Sequence, residues 1–345
     1  MRPIADRADP DKLSANDHSD TKLPIESGSA QSEGQSRVVS WAPDGARTVR
    51  IDPQTLPEAT VTLPDGRRLG YVECGDADGT PVFCFDGWPS SRWGALLKDA
   101  EATAAGVRLI GVDRPGMGIS DFTPDGTMLG WPADVAVLAN SLGLDRWAVW
   151  GISGGAPFAL ACAHQLPDRV TACGVVSSAA PIESTIREYP LAIRWQFALA
   201  RRVPSAIRLL LWMRTGRHYT TDYETARAAF EKGLEQAVGP DSGFRDDPGN
   251  ELTVHMLREA FHQGMRGPAY EGRLLVGDWG FNLEDVTHEH VYLWHGEMDT
   301  QSPPAAAREM AQRIPHCEAT FYADEAHAST VVYHAEEMLR TLASH

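Results

Sequence analysis

A single hydroxyl stands among three glycines in Gly151-Ile152-Ser153-Gly154-Gly155. The apolar run "WAVW" precedes it and the small-residue run "APFALACA" follows it. A strand that turns at once into a helix needs neighbours without side chains, and Gly151 and Gly155 meet that need. Such a turn lifts Ser153 off the sheet edge. It also sets the hydroxyl at a helix N-terminus, where free N–H groups favour negative charge. The chemistry this points to is attack by the serine oxygen on a carbonyl carbon. Gly-x-Ser-x-Gly alone is a weak signal, since both residues are common in turns; the strand before and the helix after give it weight.

An exposed serine needs a base to take its proton. "FYADEAHAST" supplies His327 in the loop after the last strand. The other eleven histidines are worse placed. His164 falls in the helix after the turn, and His218, His255 and His262 fall in a long insertion. His295 falls inside a strand, as a packed core histidine would. His288 and His290 form a pair without a third ligand nearby, so no metal site is expected. A third group should orient the imidazole and stabilise its cation. "LWHGEMDTQSP" offers Asp299 just after a strand, with Glu297 as the alternative. Ser153, Asp299, His327 is then the chain order such an arrangement takes when a strand–serine–helix turn carries the nucleophile.

These residues need a frame that brings distant strand ends together. From Ala59 onward strands and helices alternate: "PVFCFD", "VRLIGVD", "WAVWGIS", "TACGVVSSAA", "VYLWHGEMD" and "EATFYAD" read as strands. "SRWGALLKDAEATAAG", "WPADVAVLANSLG", "GGAPFALACAHQLP", "PAAAREMAQRI" and "STVVYHAEEMLRTL" read as helices. This implies an α/β fold, a mostly parallel doubly wound sheet covered on both faces. The alternation stops over 181–285, where "LAIRWQFALARRVPSAIRLLLWMR", "YETARAAFEKGLEQAV" and "GNELTVHMLREAFHQG" are helix-like. That segment is too long for a simple crossover and is read as a helical cap over the ligand crevice. The expected core is thus 51–180 and 286–345. Residues 1–50, rich in Asp, Ser, Pro and Gly, are expected to be mostly disordered, with packing in part near Val49 and Ile51.

The 345 residues are 43% hydrophobic and 23% charged, ordinary for a globular protein. The formal net charge of −16 argues against nucleic acid or anionic membrane surfaces as partners. No apolar run is long enough to span a bilayer, and the N-terminus lacks the layout of a secretory signal. The five cysteines are odd in number and lack a C-x-x-C, so they read as free thiols in a reducing, cytoplasmic compartment. None has a catalytic context.

The motifs together identify a resemblance to the α/β-hydrolases. "DGWPSSR" (86–92), "VDRPGMGISD" (112–121), "WPADV" (131–135), "GISGG", "DWGF" (278–281), "HGEMD" (295–299) and "DEAHAS" (324–329) carry it over about residues 55–345. The resemblance implies an oxyanion hole made by the backbone N–H of Gly154 and that of Trp88, with Gly87 as the alternative. "RPGMG" is then a loop buttressing the site rather than part of a dinucleotide fingerprint. One residue departs from the family pattern: Asp86 stands where most relatives have histidine. A carboxylate there would oppose a developing oxyanion. Two readings stay open, an ion pair with Arg92 or Arg114 that braces the loop, or a hydrogen bond to a substrate hydroxyl. The Asp-Gly pair also resembles the hydrolases of zearalenone-type resorcylic macrolactones, whose substrates carry phenolic hydroxyls.

The leading expectation is a cofactor-free serine hydrolase of carboxylic esters, preferentially a lactone, working through an acyl-enzyme on Ser153. Its partner is a small-molecule ester or lactone. Trp88 and Met117 are expected to line the pocket with Asp86. So are a few of Trp195, Phe197, Trp212, Met213, Tyr219, Tyr223, Phe230, Met256, Phe261 and Tyr270 of the cap. Cofactor-free perhydrolysis would be a side activity of the same residues. Dehalogenase and epoxide hydrolase chemistry are disfavoured, because they place Asp at the turn. Two other readings stand beside the first: an aminopeptidase or amidase of the same fold, and a ligand receptor that has lost catalysis. For the peptidase, acidic cap residues such as Glu183, Glu188, Glu224 and Glu231 would hold an amine. A homodimer through the cap is left open.

Overall fold

The computed structural model describes residues 58–178 and 211–345, a few single positions between 187 and 209, and two short strands before them. Those strands, β1 (Val39–Trp41) and β2 (Arg47–Val49), pair antiparallel with Val39 opposite Val49. The second of them ends at Val49, where packing in part was expected; the other residues of 1–57 lie outside the described residues. So does most of the first cap helix read over 191–214.

Eight strands make one sheet: β3 (Ala59–Thr62), β4 (Arg68–Gly75), β5 (Thr80–Phe85), β6 (Val107–Val112), β7 (Trp147–Ile152), β8 (Val170–Val176), β9 (Val291–Gly296) and β10 (Cys317–Tyr322). Their order is β10-β9-β8-β7-β5-β6-β4-β3. The pairs β3–β4 and β4–β6 are antiparallel and the rest parallel. Every residue of β7 and β8 is buried, which is why both read as unbroken apolar runs. Successive residues of β5 face opposite layers. Val82 and Cys84 pack with α1 (Asp99–Ala104) and α8 (His327–Ala343). Phe83 and Phe85 pack with α2 (Trp131–Ser141), α3 (Ala156–Gln165) and α7 (Pro304–Arg313). Burying each such aromatic ring stabilises the fold by about 1.5–3 kcal/mol.

The order reverses between β5 and β7, whose Phe85 and Gly151 are register partners. Ligand crevices of such sheets form at that point, beyond the carboxyl ends of the strands. The turns that begin at Asp86 and Ser153 therefore lie side by side.

Two local readings differ from the structure. The segment after Ser91 is a 3₁₀ helix over Arg92–Lys98 before α1 begins, not one α-helix. A helix that was not read, α6 (Arg266–Val276), follows α4 (Tyr223–Glu235) and α5 (Asn250–Ala260) in the insertion. Gly267, Pro268 and Gly272 hide it from propensity. Gly272 is needed for contact, since a Cβ there would stand 2.7 Å from Cζ2 of Trp88.

Candidate active site

Ser153 follows β7 directly, with φ at +50°, a left-handed conformation that costs a non-glycine residue about 1–3 kcal/mol. The turn closes because Gly155 has no side chain: a Cβ there would lie 1.8 Å from the carbonyl oxygen of Phe85. The start of α3 is thus pressed onto the end of β5. The Ser153 hydroxyl meets Nε2 of His327 at 3.0 Å. Nδ1 of His327 meets Oδ2 of Asp299 at 2.8 Å. The structure brings these three sequence-predicted residues into one hydrogen-bonded chain, from the ends of β7, β9 and β10.

Asp299 is buried, and its other oxygen accepts the backbone N–H groups of Gln301 and Ser302, each at 2.8 Å. Burial pushes its carboxyl up, but the hydrogen bond and charge of His327, with the Ser302 N–H, hold it below the usual aspartate range. Glu297, the alternative, instead pairs with Arg308 at the surface. His295 is a core histidine: its Nε2 donates to the Ser302 carbonyl at 2.9 Å and lies 3.5 Å from Asp299. His288 is also used internally, bonded to the Val170 carbonyl and to the His290 N–H. Among the described residues no group of three or more His, Cys, Asp or Glu is arranged to hold a metal ion. The five cysteines are free, and burial pushes the Cys84 and Cys317 thiols up to about 12.

The turn after β5 lies against the serine turn. A Cβ on Gly154 would stand 3.2 Å from the Trp88 nitrogen, and one on Gly87 would stand 3.7 Å from Cβ of Ser153. Arg114 holds this turn from behind. Its Nη1 and Nη2 donate to the carbonyls of Asp86 and Gly87, both at 2.6 Å. Glu271 of α6 holds Arg114 in turn, with two bonds at 2.8 and 2.7 Å. Burial pushes the Glu271 carboxyl up, against the pull of Arg114.

The Asp86 carboxylate has a partner other than those expected. Arg92 is committed to Asp113, Glu259 and Glu58, and Arg114 takes only the Asp86 carbonyl. Lys98 pairs with Asp86 at 2.5 Å and also donates to the Gly94 carbonyl at 2.9 Å. The 3₁₀ winding of Arg92–Lys98 and the bare Cα of Gly94 allow this. Burial raises the Asp86 carboxyl, but the Lys98 charge and hydrogen bond, with the Gly87 N–H, bring it below its ordinary value. The negative charge beside the turn is thus countered.

A cavity of about 380 Å³ opens beside His327, lined by Asp86, Ile152, Phe230, Leu234, Phe244 and Val331 among others. Two residues expected in its wall are elsewhere. The Trp88 indole is drawn to α6, where its Nε1 donates to the Pro268 carbonyl at 2.8 Å. Met117 is fully buried within the Arg114–Ser120 loop. Sequence reasoning missed Lys98 and Glu271. Neither had a signal: Lys98 reaches Asp86 through the 3₁₀ winding of Arg92–Lys98, which no periodicity shows, and Glu271 lies in a helix broken by Gly and Pro.

A serine on a tight β7–α3 turn, at the reversal point of this strand order, defines an α/β-hydrolase architecture. The family model of the alpha/beta hydrolase fold matches residues 80–331, and the chain belongs to that family. It is 36% identical over 125 residues to a non-heme chloroperoxidase of Streptomyces lividans, which is 36% of this chain and 45% of that protein. It is 25% identical over 300 residues to a proline iminopeptidase of Xanthomonas citri, 78% of this chain and 90% of that protein. The chain thus spans less than half the length of the chloroperoxidase it matches. Two solved structures share the fold. An esterase from Exiguobacterium antarcticum has a TM-score of 0.58 at 20% identity, over 84% of this chain and 98% of that one. An enol-lactonase from Burkholderia xenovorans has a TM-score of 0.57 at 19% identity, over 83% and 98%. Among the described residues no helix is long and apolar enough to cross a membrane.

Proposed function

We propose that this protein is a serine hydrolase of carboxylic esters, with lactones preferred. The observation that carries the reading is the Ser153–His327–Asp299 chain, with contacts at 3.0 and 2.8 Å, on a serine held at φ +50°. His327 Nε2 takes the hydroxyl proton as Ser153 Oγ attacks the carbonyl carbon. Asp299 keeps the Nδ1 proton in place and stabilises the imidazolium. The backbone N–H groups of Gly154 and Trp88, with Gly87 the alternative, receive the oxyanion. The tetrahedral adduct collapses, and His327 gives its proton to the departing alkoxide, leaving Ser153 acylated. In a lactone that alcohol stays tethered to the acyl chain. Water, deprotonated by His327, then attacks the acyl carbon, and as the adduct collapses His327 returns that proton to Ser153 Oγ, which frees the acid and the serine. No step calls on a metal or organic cofactor.

The lactone preference rests on Asp86–Gly87 and on the aromatic wall of the cavity, Phe230 and Phe244. The Lys98 pairing supports the bracing role for Asp86. Asp86 is still among the residues lining the cavity, and the lactone reading has its carboxylate accept a phenolic hydroxyl there. A resorcylic macrolactone fits that chemistry. The aminopeptidase reading is favoured by the likeness to proline iminopeptidases. Four acidic residues line the cavity, Asp86, Glu101, Asp241 and Asp247; against the peptidase reading, Asp86 is paired with Lys98, and Asp241 and Asp247 accept backbone N–H groups. The test is turnover of three substrates: p-nitrophenyl acetate, a resorcylic macrolactone and L-proline p-nitroanilide. Cleavage of the first two with no release from the third is expected. Faster cleavage of the anilide would replace the ester reading with the peptidase one, and ligand binding without turnover of any would make the protein a receptor.

A further inference from the structure

Helix α8 begins at His327, and its first turn is capped from a distant part of the chain. Ala326, the residue at the capping position, makes no side-chain cap to the helix. Asp241 does so from 87 residues before Ala328. Its Oδ1 accepts the N–H of Ser329 at 2.9 Å and that of Ala328 at 3.1 Å, and Oδ2 lies 3.3 Å from the latter. A carboxylate here satisfies otherwise open N–H groups and complements the positive end of the helix. Other restraints on His327 come from the sheet: Asp299 after β9 holds its ring, and the Ser177 hydroxyl after β8 donates to its carbonyl at 2.9 Å.

We infer that Asp241 is a positioning residue for His327, so that the seat of the proposed base depends on the insertion as well as on the sheet. Asp241 lies in a 3₁₀ segment, Gly239–Asp246, that the insertion holds at both ends. Arg245 donates to the last carbonyls of α4, Leu234 at 3.3 Å and Glu235 at 3.2 Å. Asn250, at the start of α5, donates to the carbonyls of Phe244 and Arg245 at 2.8 and 3.1 Å. The Phe244 ring stands 5.6 Å from that of Tyr333, so the segment runs along the first turns of α8. Asp241 and His327 also line the same cavity. A ligand that shifts α4 or α5 therefore shifts the cap of the helix on which the imidazole is mounted.

This inference rests on the serine hydrolase reading, and the experiment separates the two. Wild type, Ser153→Ala, Asp241→Ala and Asp241→Asn are compared by kcat and KM on p-nitrophenyl acetate and on a bulky p-nitrophenyl ester. Fluorophosphonate labelling rate and Tm are measured alongside. Removing the cap should lower kcat and the labelling rate about tenfold, as small displacements of a reacting group do. The loss should be the same on both esters, with KM little moved. Asp241→Asn, whose amide oxygen still accepts the N–H groups, should recover most of the loss, and it keeps the test valid where the alanine variant folds poorly. A loss confined to the bulky ester would make Asp241 a pocket wall and overturn the inference. So would a fall in Tm with an unchanged labelling rate in the folded protein. An active Ser153→Ala would overturn the hydrolase reading instead.

Discussion

The serine side of the cleft and the insertion side hold their residues by different physics. On the serine side, Ser153, Asp299 and His327 follow the carboxyl ends of β7, β9 and β10 in one sheet. Phe85 is paired with Gly151, and the turns beyond them touch through backbone atoms. Ladder hydrogen bonds and bare Cα atoms set the course of these turns, while the side chain of Arg114 holds the β5 turn and those of Asp299 and Ser177 hold His327. On the insertion side, α5 and α6 are fastened to the core by buried charge. Arg92 bonds Glu259 at 2.7 Å and Asp113 at 2.7 Å, and Arg114 bonds Glu271 at 2.7 Å, with both arginine side chains almost wholly inaccessible. The first kind of construction tolerates loss of a reacting side chain, because that side chain holds nothing up. The second does not, because a missing partner leaves an uncompensated charge in the interior.

The contrast can be broken first at the serine. Ser153→Ala should lower ester turnover by about 10⁵-fold or more while leaving the denaturation midpoint near wild type. A large fall in stability would show that the hydroxyl supports the fold after all. Next, Asp299→Asn should lower kcat by about 10⁴-fold, since the amide favours the wrong tautomer of His327. Full activity there would point to Glu297. On the other side, Glu271→Leu should cost about 3–5 kcal/mol of stability in urea denaturation, because Arg114 stays buried without its partner. A loss of under about 1 kcal/mol would place Glu271 with ordinary surface pairs. Gly272→Ala, which crowds the Trp88 ring, should cost about 1–3 kcal/mol of stability in the same denaturation.

The smallest effect concerns acid. Asp299 has a folded value below its unfolded one, so its contribution to stability is complete above about pH 4 and is lost as pH falls through the folded value. Asp299→Asn should flatten that part of the acid limb, read as denaturation midpoint against pH from about 5 to 2.

The two sides also differ in what the sequence discloses. Strand ends announce themselves: unbroken apolar runs in β7 and β8, glycines at fixed offsets, and Asp299 and His327 just past apolar segments. Local physics decides these, so a local reading finds them. The partner of Asp86 depends on a 3₁₀ rather than α winding of Arg92–Lys98, which no periodicity shows. Trp88 was expected in the pocket wall, but Gly272 and the Pro268 carbonyl draw its ring into the contact between turn and insertion. Glu271 and Asp241 act over 157 and 87 residues of chain, and their roles exist only once the insertion is in place.

The central claim is that Ser153 is a nucleophile activated by His327. The most direct measurement is mass spectrometry of peptides from the chain treated with a fluorophosphonate. A single adduct on Ser153, formed quickly in wild type and slowly in His327→Ala, is the result expected. An adduct on another residue, or equal labelling rates in the two proteins, would contradict it.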